Sequence, residues 1–126
     1  MKTQVKFIIF IVVVVILVGG FGIYYSFKPE APSKLDGFAQ CLKSSGAEFY
    51  GAFWCSHCQD QKKEFGASAK YLPYIECSNP DNSQMQVCVD KKIEGYPTWI
   101  FKDESRLSGK LELTTLAEKT ACVLPQ

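Results

Sequence analysis

The residues with the clearest chemistry form the run Trp54-Cys55-Ser56-His57-Cys58. An apolar run, residues 49–53, comes directly before it, and residues 59–71 have the pattern of a helix. The motif therefore lies at a strand-to-helix junction, where free backbone N–H groups and the helix dipole stabilise a thiolate at Cys55. Cys58, one turn later, is within reach to form a disulfide with Cys55. A dithiol with one activated member is the minimum apparatus for thiol–disulfide exchange.

The same two cysteines could instead form a structural disulfide, which is common in exported proteins, or half of a metal site. Zinc prefers four ligands in a tetrahedron. Cys55, His57 and Cys58 are too close together in the chain to supply that geometry alone. We therefore expect no metal, and no cofactor besides the redox-active Cys55–Cys58 pair.

The residues around the two cysteines are expected to modulate them. An imidazole at His57, the only histidine in the sequence, would favour the thiolate and make the disulfide more oxidising. The alternative for His57 is an exposed turn residue. Ser56 is expected to have little effect, and Trp54 to pack locally and form one wall of the site.

Composition excludes some classes of partner. The chain has 126 residues and a formal charge of +1, so no basic face indicates nucleic acid binding. Hydrophobic residues make up 47% of the chain and are concentrated in its first quarter. This length and imbalance predict one small domain and an apolar appendage.

The appendage has the length of a membrane span. Residues 7–25 carry no charge, and a bilayer core needs roughly 20 apolar residues as a helix. We expect a short inside segment at 1–6, an anchor at 7–27 and a Pro-rich tether at 28–34. Lys2 and Lys6 before the span outnumber Lys28 after it, which favours an inside N-terminus and an exterior, periplasmic or lumenal domain. A cleaved signal peptide is the alternative, although its apolar region is normally shorter.

Residues 35–126 predict one α/β domain with the element order α-β-α-β-α-β-β-α. Two βα units followed by a hairpin imply a mixed sheet of about four strands with helices on both faces. The expected helices are 35–46, 59–71, 83–93 and 113–122, the last with Thr114 as its N-cap. The expected strands are 47–53, 73–77, 98–101 and 106–111.

This order, with Trp-Cys-x-x-Cys after the first strand and Gly95-Tyr96-Pro97-Thr98 before the hairpin, resembles the thioredoxin fold. The resemblance covers Leu35 to about Val123. It implies that Pro97 is cis and packs beside the two sulfurs. Tyr96, Pro97 and Thr98 would then form a ledge on which an extended substrate pairs with the backbone of Tyr96.

Three segments resemble more closely the thioredoxin-like domain associated with, and often fused to, vitamin K epoxide reductase homologues. They are residues 49–63, Tyr74-Ile75-Glu76-Cys77 and Gly95-Tyr96-Pro97-Thr98-Trp99. The resemblance implies a dithiol carrier that oxidises exported proteins and is reoxidised by a quinone-linked membrane oxidoreductase. Family members with histidine at the position of His57 tend to be oxidants. Because this sequence contains a single span, we expect the quinone-linked partner to act in trans.

Four further cysteines, Cys41, Cys77, Cys88 and Cys122, allow three pairings. A local Cys77–Cys88 bridge is geometrically easy between a strand end and the following helix, and the family resemblance supports it. Cys41–Cys122 would then tie the first helix to the end of the last. Either pair could be a staple for a small exported core or an electron relay.

One position departs from ordinary thioredoxins, which carry a buried carboxylate six residues before the first motif cysteine. Here that residue is Phe49, with Glu48 beside it. If Glu48 points away from the core, we expect Cys58 to resolve mixed disulfides slowly, or water or Glu48 to substitute for the missing base.

These observations together predict a membrane-anchored thiol–disulfide oxidoreductase acting on exported proteins. Two alternatives stay open, a reductase that keeps exported thiols reduced and a non-catalytic tethered binding module. The direction of electron flow does not follow from the residues.

Overall fold

The computed structural model describes residues 1–26 and 31–126, which divide into two units, Met1–Ala31 and Pro32–Gln126. The last residue of the predicted anchor, Phe27, lies outside the described residues, as do residues 28–30 of the predicted tether. Lys28, the charge after the predicted span, is among them.

The first unit is one helix, α1, which spans Lys2–Ser26. It begins five residues before the predicted anchor, and none of its side chains is buried. Within the described part of the chain, it is the one helix whose length and composition are sufficient to cross a membrane. A signal sequence near an N-terminus meets the same criterion.

The second unit contains a mixed four-stranded sheet, as the sequence predicts. Its strands lie in the order β2-β1-β3-β4, with β1 and β2 parallel and the other two pairs antiparallel. The strands are β1 Glu48–Gly51, β2 Tyr74–Glu76, β3 Thr98–Ile100 and β4 Arg106–Ser108. The helices are α2 Asp36–Ser44, α3 Ser56–Phe65, a 3₁₀ helix Gly66–Tyr71, α4 Gln86–Asp90 and α5 Leu113–Thr120. This is a thioredoxin-like fold.

The sheet has a packed cluster on each face because alternate strand residues point to opposite sides. Phe49 and Trp99 stack with their ring centroids 4.5 Å apart in one cluster. That cluster also contains buried residues of α2, α3 and α5, namely Phe38, Ala39, Leu42, Cys58, Phe65 and Leu116. Tyr50 and Ile100 lie in the other cluster, with Cys88 of α4. Tyr50 and Trp99 are thus both buried.

All four helices of this unit are shorter than predicted, and two of them differ most. The α-helical part of 59–71 ends at Phe65, because Gly66 adopts φ 52 and a 3₁₀ helix follows. The prediction of a helix over 83–93 is wrong outside Gln86–Asp90. The backbone N–H of Met85 donates to the carbonyl of Cys77 at 2.7 Å, which holds the chain before α4 in an extended conformation.

The prediction of Thr114 as an N-cap is also wrong. The N-cap of α5 is Glu112, which makes no side-chain capping bond, and the helix ends at Thr120 before Ala121 with φ 57. The four strands are three or four residues long, shorter than the predicted ranges.

Two disulfides brace this unit. One joins Cys77 at the end of β2 to Cys88 in α4, with Cα atoms 5.6 Å apart. The other joins Cys41 in α2 to Cys122 beyond α5, with Cα atoms 5.9 Å apart and a sequence separation of 81.

Candidate active site

The Cys55–Cys58 pair lies where β1 gives way to α3. Cys55 is the N-cap of α3 in an extended conformation, and its N–H donates to the carbonyl of Ala52 at 3.0 Å. Cys58 lies in the first turn, and its backbone N–H donates to the Cys55 sulfur at 3.2 Å. The two sulfurs form a disulfide, with Cα atoms 5.3 Å apart. The helix start therefore directs an N–H group at one sulfur of a reducible bond.

The two cysteines differ in access. Cys58 is completely buried, whereas 6% of Cys55 is exposed beside the exposed side chains of Phe53 and Trp54. Cys55 is therefore the less buried of the two cysteines.

Trp54 directly precedes Cys55, and its exposed side chain contacts two neighbouring loops. Its indole Nε1 donates to Ser78 Oγ at 2.8 Å. Its ring lies edge-on to the ring of Tyr96, with centroids 5.8 Å apart. These contacts connect the motif to the loop after β2 and to the loop before β3.

The loop before β3 contains the predicted proline ledge. The Tyr96–Pro97 peptide bond is cis, and Pro97 is fully buried. Thr98 is also buried, and its hydroxyl donates to the carbonyl of Gly95 at 2.8 Å, so it braces the loop. The Tyr96 hydroxyl accepts a hydrogen bond from Gln84 Nε2 at 3.0 Å. The structure thus brings Trp54 and Tyr96 into contact. The Thr98 hydroxyl is engaged in a hydrogen bond within its own loop.

Ser56 and His57 occupy the first turn of α3, and both are exposed. They lie on the solvent side of the motif, between the two cysteines in the chain.

Three polar side chains that the sequence does not point to, Tyr74, Glu76 and Lys62, lie in the region of the buried Cys58 sulfur. A Cβ atom added to Gly51 would lie 3.0 Å from Cys58 Sγ, 2.7 Å from Tyr74 Cε2 and 3.2 Å from the Tyr74 hydroxyl. The Tyr74 hydroxyl donates to Glu76 Oε2 at 2.8 Å, and Lys62 Nζ lies 3.2 Å from the centre of the Tyr74 ring. The alternation of Tyr74 and Glu76 in a predicted strand is the one signal that could have placed them on the same face.

The electrostatics of this group follow from its partial burial. Burial raises the pKa of Tyr74, and the hydrogen bond to Glu76 raises it further. Burial lowers the pKa of Lys62, and the negative charge of Glu76 opposes that change. The neutral Tyr74 hydroxyl therefore lies between the Glu76 carboxylate and the space above Gly51, which Cys58 Sγ also borders.

Glu48 lies on the opposite face of the sheet from Cys58, since its strand neighbour Phe49 faces the cluster that contains Cys58. Glu48 Oε2 accepts hydrogen bonds from the Tyr50 hydroxyl at 2.8 Å and from Lys91 Nζ at 3.3 Å. The expectation that Glu48 could substitute for the missing base finds no support in this arrangement. Phe49 is completely buried and supplies no polar atom.

Across residues 1–26 and 31–126, no three His, Cys, Asp or Glu side chains are arranged to hold a metal ion.

The chain is similar in sequence to two known proteins described here. No family model matches the chain. It is 50% identical over 94 residues to thiol-disulfide oxidoreductase LTO1 of Arabidopsis thaliana, which covers 70% of this chain and 24% of that protein. It is 32% identical over 94 residues to thioredoxin domain-containing protein 5 homolog of Drosophila melanogaster, which covers 63% of this chain and 22% of that protein. The chain thus spans about a quarter of the length of these curated relatives. Their names support the placement of this chain in a thioredoxin-like superfamily.

Proposed function

We propose that this member of the thioredoxin-like superfamily is a thiol–disulfide oxidoreductase that works through Cys55 and Cys58. The observation that carries the proposal is the position of the Cys55 sulfur at the N-cap of α3, where it accepts the Cys58 N–H. A helix N-terminus stabilises a thiolate, and the thiolate is the reactive form of cysteine. The name of the Arabidopsis relative supports the same activity.

In the oxidising direction, a substrate thiolate attacks Cys55 Sγ, which belongs to the less buried of the two cysteines. The Cys55–Cys58 bond breaks, and its electron pair leaves with Cys58 as a thiolate that takes up a proton. A second substrate thiolate then attacks the substrate sulfur of the mixed disulfide and releases Cys55 as a thiolate. The substrate loses two electrons and two protons, and the enzyme is left as a dithiol.

We favour the oxidising direction because of the same helix terminus. Stabilising the Cys55 thiolate stabilises the reduced enzyme, which makes its disulfide a stronger oxidant. The adjacent imidazole of His57 would act in the same sense. The redox potential of the pair distinguishes this proposal from a reductase, since we expect a value above about −200 mV for an oxidant and near −270 mV for a reductant.

The reduced dithiol must be reoxidised. We propose a quinone-linked membrane oxidoreductase, similar to vitamin K epoxide reductase, that acts in trans. The resemblance of residues 49–63 and of the loop around Pro97 to domains associated with that enzyme supports this partner. Helix α1 supports a membrane location, where such a partner would be found.

For the location, we propose a single-pass anchor with the N-terminus inside and the second unit in the periplasm, outside the cell or in an organelle lumen. The length and composition of α1 support an anchor, and Lys2 and Lys6 support this orientation. Protease accessibility of residues 32–126 in sealed vesicles, with and without detergent, tests the orientation. Membrane release of a shortened chain would indicate signal cleavage instead.

Covalent trapping tests the function and the partners together. In a Cys58→Ala variant of the full chain, a mixed disulfide at Cys55 cannot be resolved internally and accumulates. We expect exported proteins and a quinone-linked membrane oxidoreductase among the trapped species, and none in a Cys55→Ala, Cys58→Ala control. Partners held equally by both variants without a covalent bond would instead indicate a non-catalytic binding module.

A further inference from the structure

We propose that Tyr74 and Glu76 form a proton-transfer pair that delivers the proton to the Cys58 sulfur and removes it again. This inference rests on the proposed function, because it concerns the step in which Cys58 attacks or leaves. The pair comes from β2, the strand next to the one that leads into the cysteine motif.

Strand pairing puts the pair beside the buried sulfur. In the parallel pairing of β1 with β2, Tyr74 lies opposite Phe49 and Glu76 lies opposite Gly51. Because Gly51 has no side chain, the Tyr74 hydroxyl and Cys58 Sγ both border the space where its Cβ would be, at 3.2 and 3.0 Å from that point. This spacing allows proton transfer through one bridging water.

The carboxylate at the other end of the pair is held in place. Glu76 Oε2 accepts the Tyr74 hydroxyl at 2.8 Å, and Oε1 accepts the backbone N–H groups of Phe53 and Ser78, each at 3.0 Å. Phe53 lies two residues before Cys55, so the same carboxylate also braces the approach to the motif. Glu76 is therefore oriented by bonds that do not depend on a visiting substrate.

Lys62 supplies a positive charge at the face of the Tyr74 ring. It lies one turn after Cys58 on α3, with its ammonium 3.2 Å from the centre of the Tyr74 ring. A cation at the face of a tyrosine ring is attracted by the ring electrons. The positive charge of Lys62 interacts with the negative charge of Glu76, which partly offsets the lowering of the Lys62 pKa by burial.

Cys58, Tyr74, Glu76 and solvent together account for the proton that leaves during resolution. The Cys58 thiol gives its proton to the Tyr74 hydroxyl oxygen while the phenolic proton passes to Glu76, leaving a Cys58 thiolate and a protonated Glu76. The thiolate attacks Cys55 Sγ, the Cys55–Cys58 bond forms, and the bond from Cys55 to its partner breaks. The electron pair leaves with the partner sulfur, and Glu76 returns its proton to solvent.

The opposite step uses the pair in reverse. When a substrate thiolate attacks Cys55, Cys58 leaves as a thiolate in a fully buried position. Glu76 takes up a proton from solvent, the phenolic proton of Tyr74 passes to the Cys58 thiolate, and Glu76 reprotonates Tyr74, which removes the cost of a buried charge. Both halves of the proposed cycle therefore use the same route.

The structure provides a matched control on the other face of the sheet. The Tyr50 hydroxyl donates to Glu48 Oε2 at 2.8 Å, the same pairing of residues two apart in a strand. Tyr50 belongs to the cluster that does not contain Cys58. Glu48→Gln and Tyr50→Phe thus remove equivalent chemical groups without touching the proposed route.

The test is the reaction of the reduced full chain, in detergent, with oxidised glutathione, followed by stopped-flow tryptophan fluorescence and acid-quench mass analysis. The second-order phase reports attack by Cys55, and the following first-order phase reports resolution by Cys58. At pH 7 we expect Glu76→Gln and Tyr74→Phe to slow resolution by about tenfold or more and to leave the attack phase within about twofold. Glu48→Gln and Tyr50→Phe should match the wild type in both phases.

The pH profile separates proton transfer from a structural role. The titratable groups that face Cys58 and Tyr74 are Glu76 from β2, Lys62 from α3 and Tyr96 from the loop before β3. In Glu76→Gln the resolution rate should rise with pH until it meets the wild-type rate, because the Cys58 thiol then ionises without help. A deficit that stays constant with pH, or an equal slowing of both phases, would overturn the proposal.

Different results would overturn the proton-transfer pair and the proposed oxidoreductase function. Normal resolution in both Glu76→Gln and Tyr74→Phe, in a wild type that shows both phases, would overturn the proton-transfer pair alone. A wild type that does not react with oxidised glutathione, or that never releases it from Cys55, would overturn the proposed function. If Glu76→Gln does not fold, Tyr74→Phe decides, since it keeps the ring and removes only the hydroxyl.

Discussion

Gln61 hydrogen-bonds both backbone groups of Leu111. Its Oε1 accepts the Leu111 N–H at 2.8 Å, and its Nε2 donates to the Leu111 carbonyl at 3.0 Å. Gln61 is completely buried on α3, the helix that carries Cys58. One side chain thus pairs with the chain after β4 as a neighbouring strand would.

Replacing Gln61 should therefore destabilise the second unit. In Gln61→Leu the two backbone groups of Leu111 lose their partners at a half-buried position, and an unsatisfied group that is fully buried costs about 1–3 kcal/mol. We expect the free energy of unfolding by urea to fall by about that amount. Gln86→Leu, at an exposed position on α4, is the control and should change it little. Equal stability of the two variants would contradict the role given to Gln61.

The reactivity of Cys55 should depend on the helix terminus. We expect the thiol of Cys55 in the reduced chain to have a pKa below that of an ordinary cysteine, because the Cys58 N–H and the α3 dipole stabilise the thiolate. The pH dependence of iodoacetamide alkylation, with the site identified by mass spectrometry, measures it. Cys58→Ala should keep the rapidly alkylated thiol and Cys55→Ala should lose it. Half-alkylation at the pH of a free cysteine would contradict this.

A methyl group at Gly51 should be poorly tolerated. It would approach a Tyr74 ring carbon to 2.7 Å and Cys58 Sγ to 3.0 Å, so the ring or the sulfur must move. We expect Gly51→Ala to lower the free energy of unfolding by about 1–3 kcal/mol, the usual cost of overpacking. Gly37→Ala, where the added Cβ meets nothing within 4 Å in helix α2, should be neutral or stabilising. Thermal unfolding of both variants decides whether the space over Gly51 is as tight as the structure shows.

The Cys77–Cys88 disulfide should stabilise the fold without taking part in electron transfer. Both cysteines are completely buried, and they enclose a short segment with a sequence separation of 11. In the chain-entropy model a loop of this length contributes on the order of 2–3 kcal/mol. We expect a Cys77→Ala, Cys88→Ala variant to lose about that stability and to keep the glutathione reaction of Cys55. Loss of turnover with unchanged stability would indicate an electron relay.

Acid should weaken the start of α2. Asp36 accepts hydrogen bonds from the Ser68 hydroxyl at 2.7 Å and the Ser33 N–H at 3.0 Å, and mainly the Ser68 bond lowers its pKa below the ordinary 3.8. A carboxylate with a lowered folded pKa stabilises the fold above pH 3.8 and ceases to do so as the pH falls through the folded value. Asp36→Asn should lower the melting temperature at pH 7, and this difference should shrink as the pH falls below 3.8. Glu94→Gln, at an exposed position, is the control.

The extent to which the sequence predicts this site depends on the range of the interactions. The motif at residues 54–58 and its placement before a helix are local, and so is the Gly95-Tyr96-Pro97-Thr98 loop, so both could be recognised without coordinates. Tyr74 and Glu76 reach Cys58 only through the pairing of β1 with β2, which no local pattern specifies. The predicted helix over 83–93 is longer than α4 for the same reason, since the hydrogen bond from the Met85 N–H to the Cys77 carbonyl overrides the helical spacing.

The bond between Cys41 and Cys122 has a mechanical consequence. All four strands lie between these cysteines, and a sequence separation of 81 is closed by one covalent link. Tension applied to the chain at Pro32 and at Gln126 would pass from Cys41 directly to Cys122 and bypass the sheet. Stretching an oxidised molecule by its ends would extend only the segments outside that link, and the redox pair would be shielded from the load.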